Sequence, residues 1–425
     1  MPELFRLTTL SEAMQRLEEA LPEEILRGRL AVETVNPSDA AGRVVAEDVV
    51  SPVDLPPFSR SIMDGFAVRA QDTFGATDGL PGQLTVIGEV KMGRPATVSV
   101  GAGQAAKIPT GGMLPDGANA VVMIEHTQPF MVSEVEPCGE QTIEVVRSVA
   151  PGENVIRVGE DLSKSEVMLR AGRRLRPQEI GALAGVGILS VQVYRRPRLG
   201  LLSTGNEIIP PDSEPEPGQI RDINSAALTA AAQNIGAEVI FFGIVRDNRE
   251  ELRARLKETF ESCDMVILSG GTSVGIEDMV AECIAELGPP GILAHGLALK
   301  PGKPVIIAVA LNKPVFGLPG HPASSLLTFD LVVSPLLRKM AQCEEKPRAK
   351  VRALLARNLP SAPGREDFYR VRFESREDKL WAVPLLGKSA LISTLLRADG
   401  LLHIPAEREG VYEGEEVEVE LFREG

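Results

Sequence analysis

The sequence predicts a multidomain protein of α/β plus β class, and three observations predict it. Its 425 residues exceed what one hydrophobic core supports, because cores stop growing beyond about 250–300 residues. From Arg198 to Met340, runs rich in Val, Ile and Leu alternate with helical patterns, the signature of a doubly wound domain on a parallel sheet. On either side of that region, short apolar runs broken by Gly and Pro read as β structure.

Thr9 and Glu12 have the Thr-x-x-Glu spacing of a capping box, and Leu10, Met14, Leu17 and Leu21 follow at helical intervals, so an amphipathic helix opens the chain. From about Leu30 to Val155, runs such as LTVIGEV and AVVMIEH predict a β-rich module. Near Ser163 the pattern shifts, and LRAGRRLRPQEIGALAGVGI offers a basic turn and an Ala-rich helix, ending close to Arg196. RLGLLST, EVIFFGIV, DMVILSGG, KPVIIAVA and PVFGLPG then supply strands. NSAALTAAAQNIG, NREELRARLKETF and EDMVAECIAELG supply helices between them, and a helix from about Ala323 to Met340 closes the domain. EEKPRAK, residues 344–350, reads as a linker, and VRALLAR, DFYRVRF, KLWAVPL and EEVEVELF predict a small all-β tail with one short helical interruption.

The balance of 45 basic against 59 acidic residues, net -14, excludes a nucleic-acid footprint over the whole surface and leaves room only for a locally basic anion pocket. Cys138, Cys263, Cys283 and Cys343 form no CxxC pair, which argues for reduced thiols and against structural zinc or a disulfide framework. No run of about 18 apolar residues occurs, and the first residues are acidic and basic where a signal peptide needs an apolar core. A soluble cytoplasmic protein with no membrane partner is expected.

Three turn motifs mark the candidate site: SGGTSVG (Ser269–Gly275), LKPGKP (Leu299–Pro304) and GLPGHP (Gly317–Pro322), each at or near the end of an apolar run. In open α/β sheets ligands bind beyond the carboxyl ends of the strands. Backbone N–H groups of the glycine loop and the helix after it suit a phosphate, although a Gly-rich tight turn accounts for that loop alone equally well. STGNE brings Glu207 to the same crevice, and Glu207, Asp247 and Asp278 together could hold Mg²⁺ with phosphate oxygens. For Asp247, a helix cap before NREELRARL competes with that role. Asp278 could equally be a partner of its helix dipole. LKPGKP concentrates Lys300 and Lys303 on one turn and reads as an anion site. His321 reads as a loop residue, because His126, His295 and His403 are all remote in sequence. Asp64-Gly65 and Thr110 before Gly111-Gly112 show turn chemistry and nothing more.

As a set these residues resemble a known family. SPVDLPPFSRSIMDGFAVRAQD, KIPTGGMLPDGANAVVM, GEDL, STGNE, GQIRDIN, SGGTSVGIED, KPGKP and GLPGHP occur in the order typical of molybdopterin molybdotransferase, which includes the molybdenum-inserting enzyme MoeA and the gephyrin E domain. The resemblance spans nearly the whole chain. It implies a homodimer with a discontinuous helical domain (1–29 and 163–196), an inserted β-rich domain (30–162), a doubly wound molybdopterin-binding α/β domain (197–343) and a C-terminal β-barrel (344–425).

The implied reaction is the Mg²⁺-dependent insertion of molybdate, as co-substrate, into adenylylated molybdopterin, with release of AMP and formation of molybdenum cofactor. The resemblance places Asp64, Thr110, Glu207, Asp247, Asp278, Lys300 and Lys303 in catalysis, with Asp64 and Thr110 acting from the second subunit. Gly270, Gly271, Thr272, Ser273 and Gly275 would hold phosphate, with Asp161 also on the substrate. Pro301, Pro319, Gly320, Pro322 and Ser324 would line the site, joined by Arg370 and Ser389 from the barrel. Glu207, Asp247 and Asp278 would be the metal ligands. The upstream adenylyltransferase and acceptor molybdoenzymes would be partners. His321 stands where the family usually shows Asn, GKSALIST (387–394) where Gly-Ser-His or Gly-Ser-Ser is more usual, and Gly296 where some members have Lys.

Two rival readings stand beside this one. A molybdopterin adenylyltransferase or a CinA-type nucleotide hydrolase would share the α/β domain but leave SIMDGFAV and the β module unexplained. A scaffolding protein, as the gephyrin E domain also is, would not need the acidic and lysine set.

Overall fold

The computed structural model describes residues 7–28, 30–129, 141–270, 276–343 and 348–422. It divides into two compact units: Glu33–Val193, and a unit made of the stretch up to Val32 together with Tyr194–Gly425. The chain enters the latter through helix α1 (Leu10–Glu19), where Thr9 and Glu12 form the predicted capping box and Ala13 and Leu17 are fully buried.

The inner unit, Glu33–Val193, is built on a six-stranded sheet. Its strands are β1 (Gly65–Val68), β2 (Gly82–Glu89), β3 (Gln104–Ile108), β4 (Ala120–Met123), β5 (Thr127–Pro129) and β6 (Thr142–Val145), in the order β4-β1-β3-β2-β6-β5. Strand β1 is buried along its whole length, paired on both sides by β4 and β3. Gly65 begins it where a Cβ would run into the Val122 carbonyl oxygen, so the residue after Asp64 must lack a side chain. Helix α2 (Pro177–Gly185) starts with Pro at its first position, and Glu179 folds back to the Arg176 backbone N–H at 2.9 Å. The Arg176 guanidinium, joined by Arg173, holds the buried Glu179 carboxyl down at about 2.

The outer unit carries a second six-stranded sheet, of β7 (Arg198–Thr204), β8 (Glu238–Val245), β9 (Met265–Gly270), β10 (Pro290–His295), β12 (Ile306–Ala310) and β13 (Lys313–Leu318). The order is β8-β7-β9-β13-β12-β10. Helices α3 (Asn224–Ile235), α4 (Arg249–Ser262) and α5 (Ile276–Ala285) follow β7, β8 and β9 in turn. Beyond β13, α6 (Pro322–Thr328) continues through a π-helical turn into α7 (Ser334–Met340).

The sheet is mixed rather than wholly parallel. Strands β8, β7, β9 and β13 are parallel, but β12 runs against both β13 and β10. The reason is local: only Leu311 and Asn312 separate β12 from β13, both with positive φ, and such a two-residue hairpin turn can join only antiparallel strands. The buried thiols Cys263 and Cys283 lie in this unit, and burial pushes Cys263 up to about 11, which keeps it protonated and inert.

The tail is a closed five-stranded barrel of β14 (Lys350–Leu355), β15 (Glu366–Arg376), β16 (Lys379–Pro384), β17 (Gly400–Ile404) and β18 (Glu416–Leu421), closed by pairing of β15 with β17. The LKPGKP turn connects β10 and β12 of the α/β sheet, and it also reaches the barrel. Its first residues form β11 (Leu299–Lys300), which pairs in parallel with barrel strand β15, setting Lys300 opposite Asp367. Phe368 and Leu401 of the barrel share one buried core with Leu299 and Leu327, so the two domains are fused by packing as well as by hydrogen bonds.

Candidate active site

Strands β7, β9 and β13 deliver the STGNE, glycine-loop and GLPGHP segments at neighbouring carboxyl ends of one parallel ladder. A polar knot ties those ends together. Ser203 Oγ donates to Asp222 Oδ2 at 2.6 Å, and Asp222 Oδ1 accepts from Ser225 N. Asn224 Nδ2 donates both to Ser269 Oγ at 2.8 Å and to the Gly320 carbonyl at 2.9 Å. Asp222 is 5% exposed, so its oxygens are satisfied by these bonds rather than by water. Sequence reasoning quoted GQIRDIN but gave Asp222 and Asn224 no role; the available signal was a polar Asp-x-Asn between a strand and an Ala-rich helix.

The carboxylates behave unequally. Asn248, not Asp247, caps α4, accepting from Glu251 N at 3.0 Å, which removes the capping account of Asp247. Asp247 Oδ1 is buried without a hydrogen-bond partner among the described residues. Burial first, and the nearby Glu207 charge after it, push the Asp247 carboxyl above its ordinary range, against an opposing hydrogen bond from the Asn206 backbone. The Glu207 carboxylate folds over Gly205, where a Cβ would come within 2.8 Å of Oε2. Thr204 Oγ1, at the end of β7, is likewise buried and unsatisfied. A cation or a ligand donor beside the Asp247 and Glu207 carboxylates fits the unmatched Asp247 oxygen.

The expected metal triad does not assemble. Among the described residues no three His, Cys, Asp or Glu side chains come together, and Asp278 is an exposed residue in the first turn of α5. Asp278 is the third residue of α5, in the turn nearest the end of β9. Gly270 ends β9 with φ +117, and a Cβ there would strike the Thr204 carbonyl. Gly271, Thr272, Ser273 and Gly275 lie outside the described residues.

The barrel brings further polar groups to the same region. Arg370 on β15 is 9% exposed; its Nη2 donates to the Gly387 carbonyl at 3.3 Å, while Nε and Nη1 have no partner among the described residues. Burial pushes its guanidinium below the usual range, as it must for a cation kept from water without a counter-charge. Two residues past Gly387, Ser389 meets the α/β domain: its carbonyl accepts from Ala323 N at 3.1 Å, and its Oγ lies 2.8 Å from His321 Nδ1. Ser324, next along α6, is buried. The Gly387–Ser389 segment therefore brackets Arg370 on one side and the His321–Ser324 stretch on the other. His321, read from sequence as a loop residue, stands at the start of α6, and the two departures at His321 and GKSALIST are a single contact.

Lys300 is exposed and lies 3.9 Å from Asp367, a fully buried carboxylate also held by Arg365. Lys303 is exposed on the same turn. Gly302 has φ +112, and a Cβ there would come within 2.6 Å of Thr328 Cγ2, so the turn between the lysines rests directly on α6. Pro301, Pro319, Gly320 and Pro322 shape these two turns.

In the inner unit the structure joins two residues that the sequence left as ordinary turns. Asp64 Oδ1 accepts from both Thr110 N at 2.7 Å and Thr110 Oγ1 at 3.0 Å. These bonds, the backbone one first, hold the Asp64 carboxyl below its ordinary range. Asp64 is exposed and ionised, and Gly111 N and Ser61 O close the paired loops at 2.8 Å. Asp161 is exposed in the same unit, its backbone N–H bonded to Leu55. Among the described residues no helix is long and apolar enough to cross a membrane.

Three family models match the chain in succession: the MoeA N-terminal region (domain I and II) over residues 8–187, a probable molybdopterin binding domain over 200–339, and the MoeA C-terminal region (domain IV) over 352–422. Molybdopterin molybdenumtransferase of Bacillus subtilis is 34% identical over 92% of this chain and 90% of its own length. That of Haemophilus influenzae is 33% identical over 98% and 99%. The crystal structure of a molybdopterin biosynthesis MoeA protein from Pyrococcus horikoshii superposes with a TM-score of 0.80 at 38% identity, covering 99% of this chain and 100% of that one.

Proposed function

The chain belongs to the molybdopterin molybdenumtransferase (MoeA) family and is a transferase of molybdenum cofactor biosynthesis; from that premise we propose how its residues divide the work. Arg370, Ser389 and Ser324, with Lys300, Pro301 and Lys303, form the subsite for molybdate. The observation that carries this reading is the buried Arg370 with two unpaired N–H donors. Such a group costs free energy until an acceptor arrives, and a tetrahedral dianion offers acceptors on every side.

Adenylylated molybdopterin would lie along the strand ends, with its phosphates toward Gly270 and the loop after it. Glu207 and Asp247 would hold Mg²⁺ with phosphate oxygens, and Asp278 would reach it only through water or substrate. Bound there, Mg²⁺ would offset charge on phosphate oxygens as the bond to AMP breaks. Asp247, kept near another carboxylate in a partly dry place, is the residue most ready to hold a proton, and Asp64 the one most ready to stay ionised. Asp64 and Thr110 would address the substrate from a second copy of the chain, in a cytoplasmic homodimer that receives substrate from an adenylyltransferase and passes product to acceptor enzymes. The four-domain division given above is part of the same reading.

The test is AMP release from adenylylated molybdopterin by the purified protein. Release that requires Mg²⁺ and saturates with molybdate supports the proposal, and no release under those conditions favours the scaffold reading. Lys300→Ala should raise the molybdate concentration needed; an unchanged molybdate dependence would remove Lys300 from the oxyanion set.

A further inference from the structure

We propose that Asp367 is a positioning residue for Lys300: it holds the lysine in a rest position on the far face of β15 from Arg370, and an incoming oxyanion draws the lysine away. This rests on the oxyanion reading above. Successive residues of a strand face opposite ways, so on β15 Phe368 and Arg370 share one face while Asp367 and Tyr369 share the other. The packing agrees, since Phe368 lies in the core shared with the α/β domain and Tyr369 packs against the barrel's own core. Strand β11 sets Lys300 opposite Asp367, and residues paired across neighbouring strands lie on the same face of the sheet. Lys300 Nζ is 3.9 Å from Asp367 Oδ2 and 6.0 Å from the centre of the Tyr369 ring. The ammonium therefore sits across the strand from the Arg370 guanidinium.

The charges explain both why Lys300 rests there and why it can leave. Arg370 is a buried cation with two donors unmatched among the described residues, and a second cation beside it in an empty site is repelled. The fully buried Asp367 and the negative face of the Tyr369 ring attract the lysine instead. That hold is loose. Arg365 takes both Asp367 oxygens, Nε donating to Oδ1 at 2.7 Å and Nη2 to Oδ2 at 3.1 Å. Lys300, at 3.9 Å, is beyond hydrogen-bond reach, and its side chain is 54% exposed. When Lys300 departs, the buried carboxylate keeps Arg365, so no unpaired charge is left inside. The Tyr369 ring stays in place, because its hydroxyl donates to the Pro360 carbonyl at 2.6 Å. The turn after Lys300 rests on α6, where a Cβ at Gly302 would lie 3.9 Å from the Ser324 carbonyl. The root of the lysine is thus close to one residue of the oxyanion set, and its flexible stem serves both stations. A dianion bound at Arg370 turns the repulsion into attraction, and Lys300 passes from Asp367 to the oxyanion.

Calorimetric titration of the full chain with molybdate reads the exchange. Asp367→Asn frees the lysine and should tighten binding about three- to tenfold in a chain that keeps Lys300. In a chain that also carries Lys300→Ala, the same change should act by a much smaller factor, because only the general loss of negative charge remains. The ratio of the two factors isolates the coupling of Asp367 to Lys300. Tyr369→Leu leaves the Asp367–Arg365 pair intact and should tighten binding by about twofold, again only with Lys300 present, which keeps the test open where Asp367→Asn folds poorly. Equal factors with and without Lys300, or weaker binding in Asp367→Asn, overturn the inference. Molybdate binding that is lost in Arg370→Met yet shows no coupling of Asp367 to Lys300 sinks this inference alone, whereas no binding by the wild-type chain sinks the oxyanion reading with it.

Discussion

Arg370 is a residue whose removal should separate function from stability. It is buried with two unmatched donors, so Arg370→Met exchanges an uncompensated cation for an apolar side chain of similar length, which seldom destabilises. Thermal denaturation should show an unchanged or higher Tm, while molybdate affinity falls about tenfold or more. Asp247 makes a second case. Its folded-state carboxyl titrates above the ordinary range, so its contribution to stability is present in acid and is lost as pH rises through that raised value. Near neutral pH the ionised group opposes folding, and Mg²⁺ should raise Tm in the wild-type chain and much less in Asp247→Asn; equal Mg²⁺ shifts would remove Asp247 from the metal. At this scale the sequence was legible where chemistry is local. Asp247, Glu207 and Lys300 were picked out from spacing alone. Arg370 and Ser389 came only through the family resemblance, because burial without a partner is a property of distant strands and leaves no trace in neighbouring residues.

The turn holding Lys300 and Lys303 depends on Gly302 more than on its charges. Gly302→Ala meets both a left-handed φ and Thr328 Cγ2, at a cost on the order of 1–3 kcal/mol. The turn should relieve this by lifting from α6, so molybdate-dependent turnover should fall more steeply than stability when both are measured on one preparation. In the inner unit, α2 depends on Glu179, whose carboxyl is held down at about 2 by Arg176 and Arg173. A depressed acid stabilises above its unfolded value and stops doing so as pH falls through the folded one. Glu179→Gln should therefore cost about 2 kcal/mol near pH 7, discounting for the half-exposed arginines, with the difference from wild type vanishing as chemical denaturation is repeated from about pH 4.5 down toward pH 2. Elements read well from periodicity: the capping box at Thr9, the strands from Arg198 onward and the helix to Met340 are where the pattern puts them. The reversed strand β12 escaped because a continuous apolar run looks alike in both directions, and only the Leu311-Asn312 turn decides.

Across the whole molecule, the proposal that a second copy supplies Asp64 and Thr110 predicts complementation. Asp64→Ala and Arg370→Met chains, each inactive alone, should recover about a quarter of wild-type AMP release when co-expressed, since half the dimers are mixed and each mixed dimer keeps one intact site. No recovery in a preparation shown to contain mixed dimers would place both residues in one subunit's own site. The succession of β, α/β and β segments along the chain was legible from its pattern. The pairing of β11 with β15 was not, because it joins Lys300 to Asp367 across 67 positions of sequence with a two-residue ladder. That same seam bears on quality control in the cell. A chain cut short at Met340 would keep the carboxylates and strand ends yet lose Phe368 and Leu401 from the core they share with Leu299 and Leu327. Its bared apolar surface is what chaperones and proteases read, so a copy truncated there should accumulate to a lower level than the full chain.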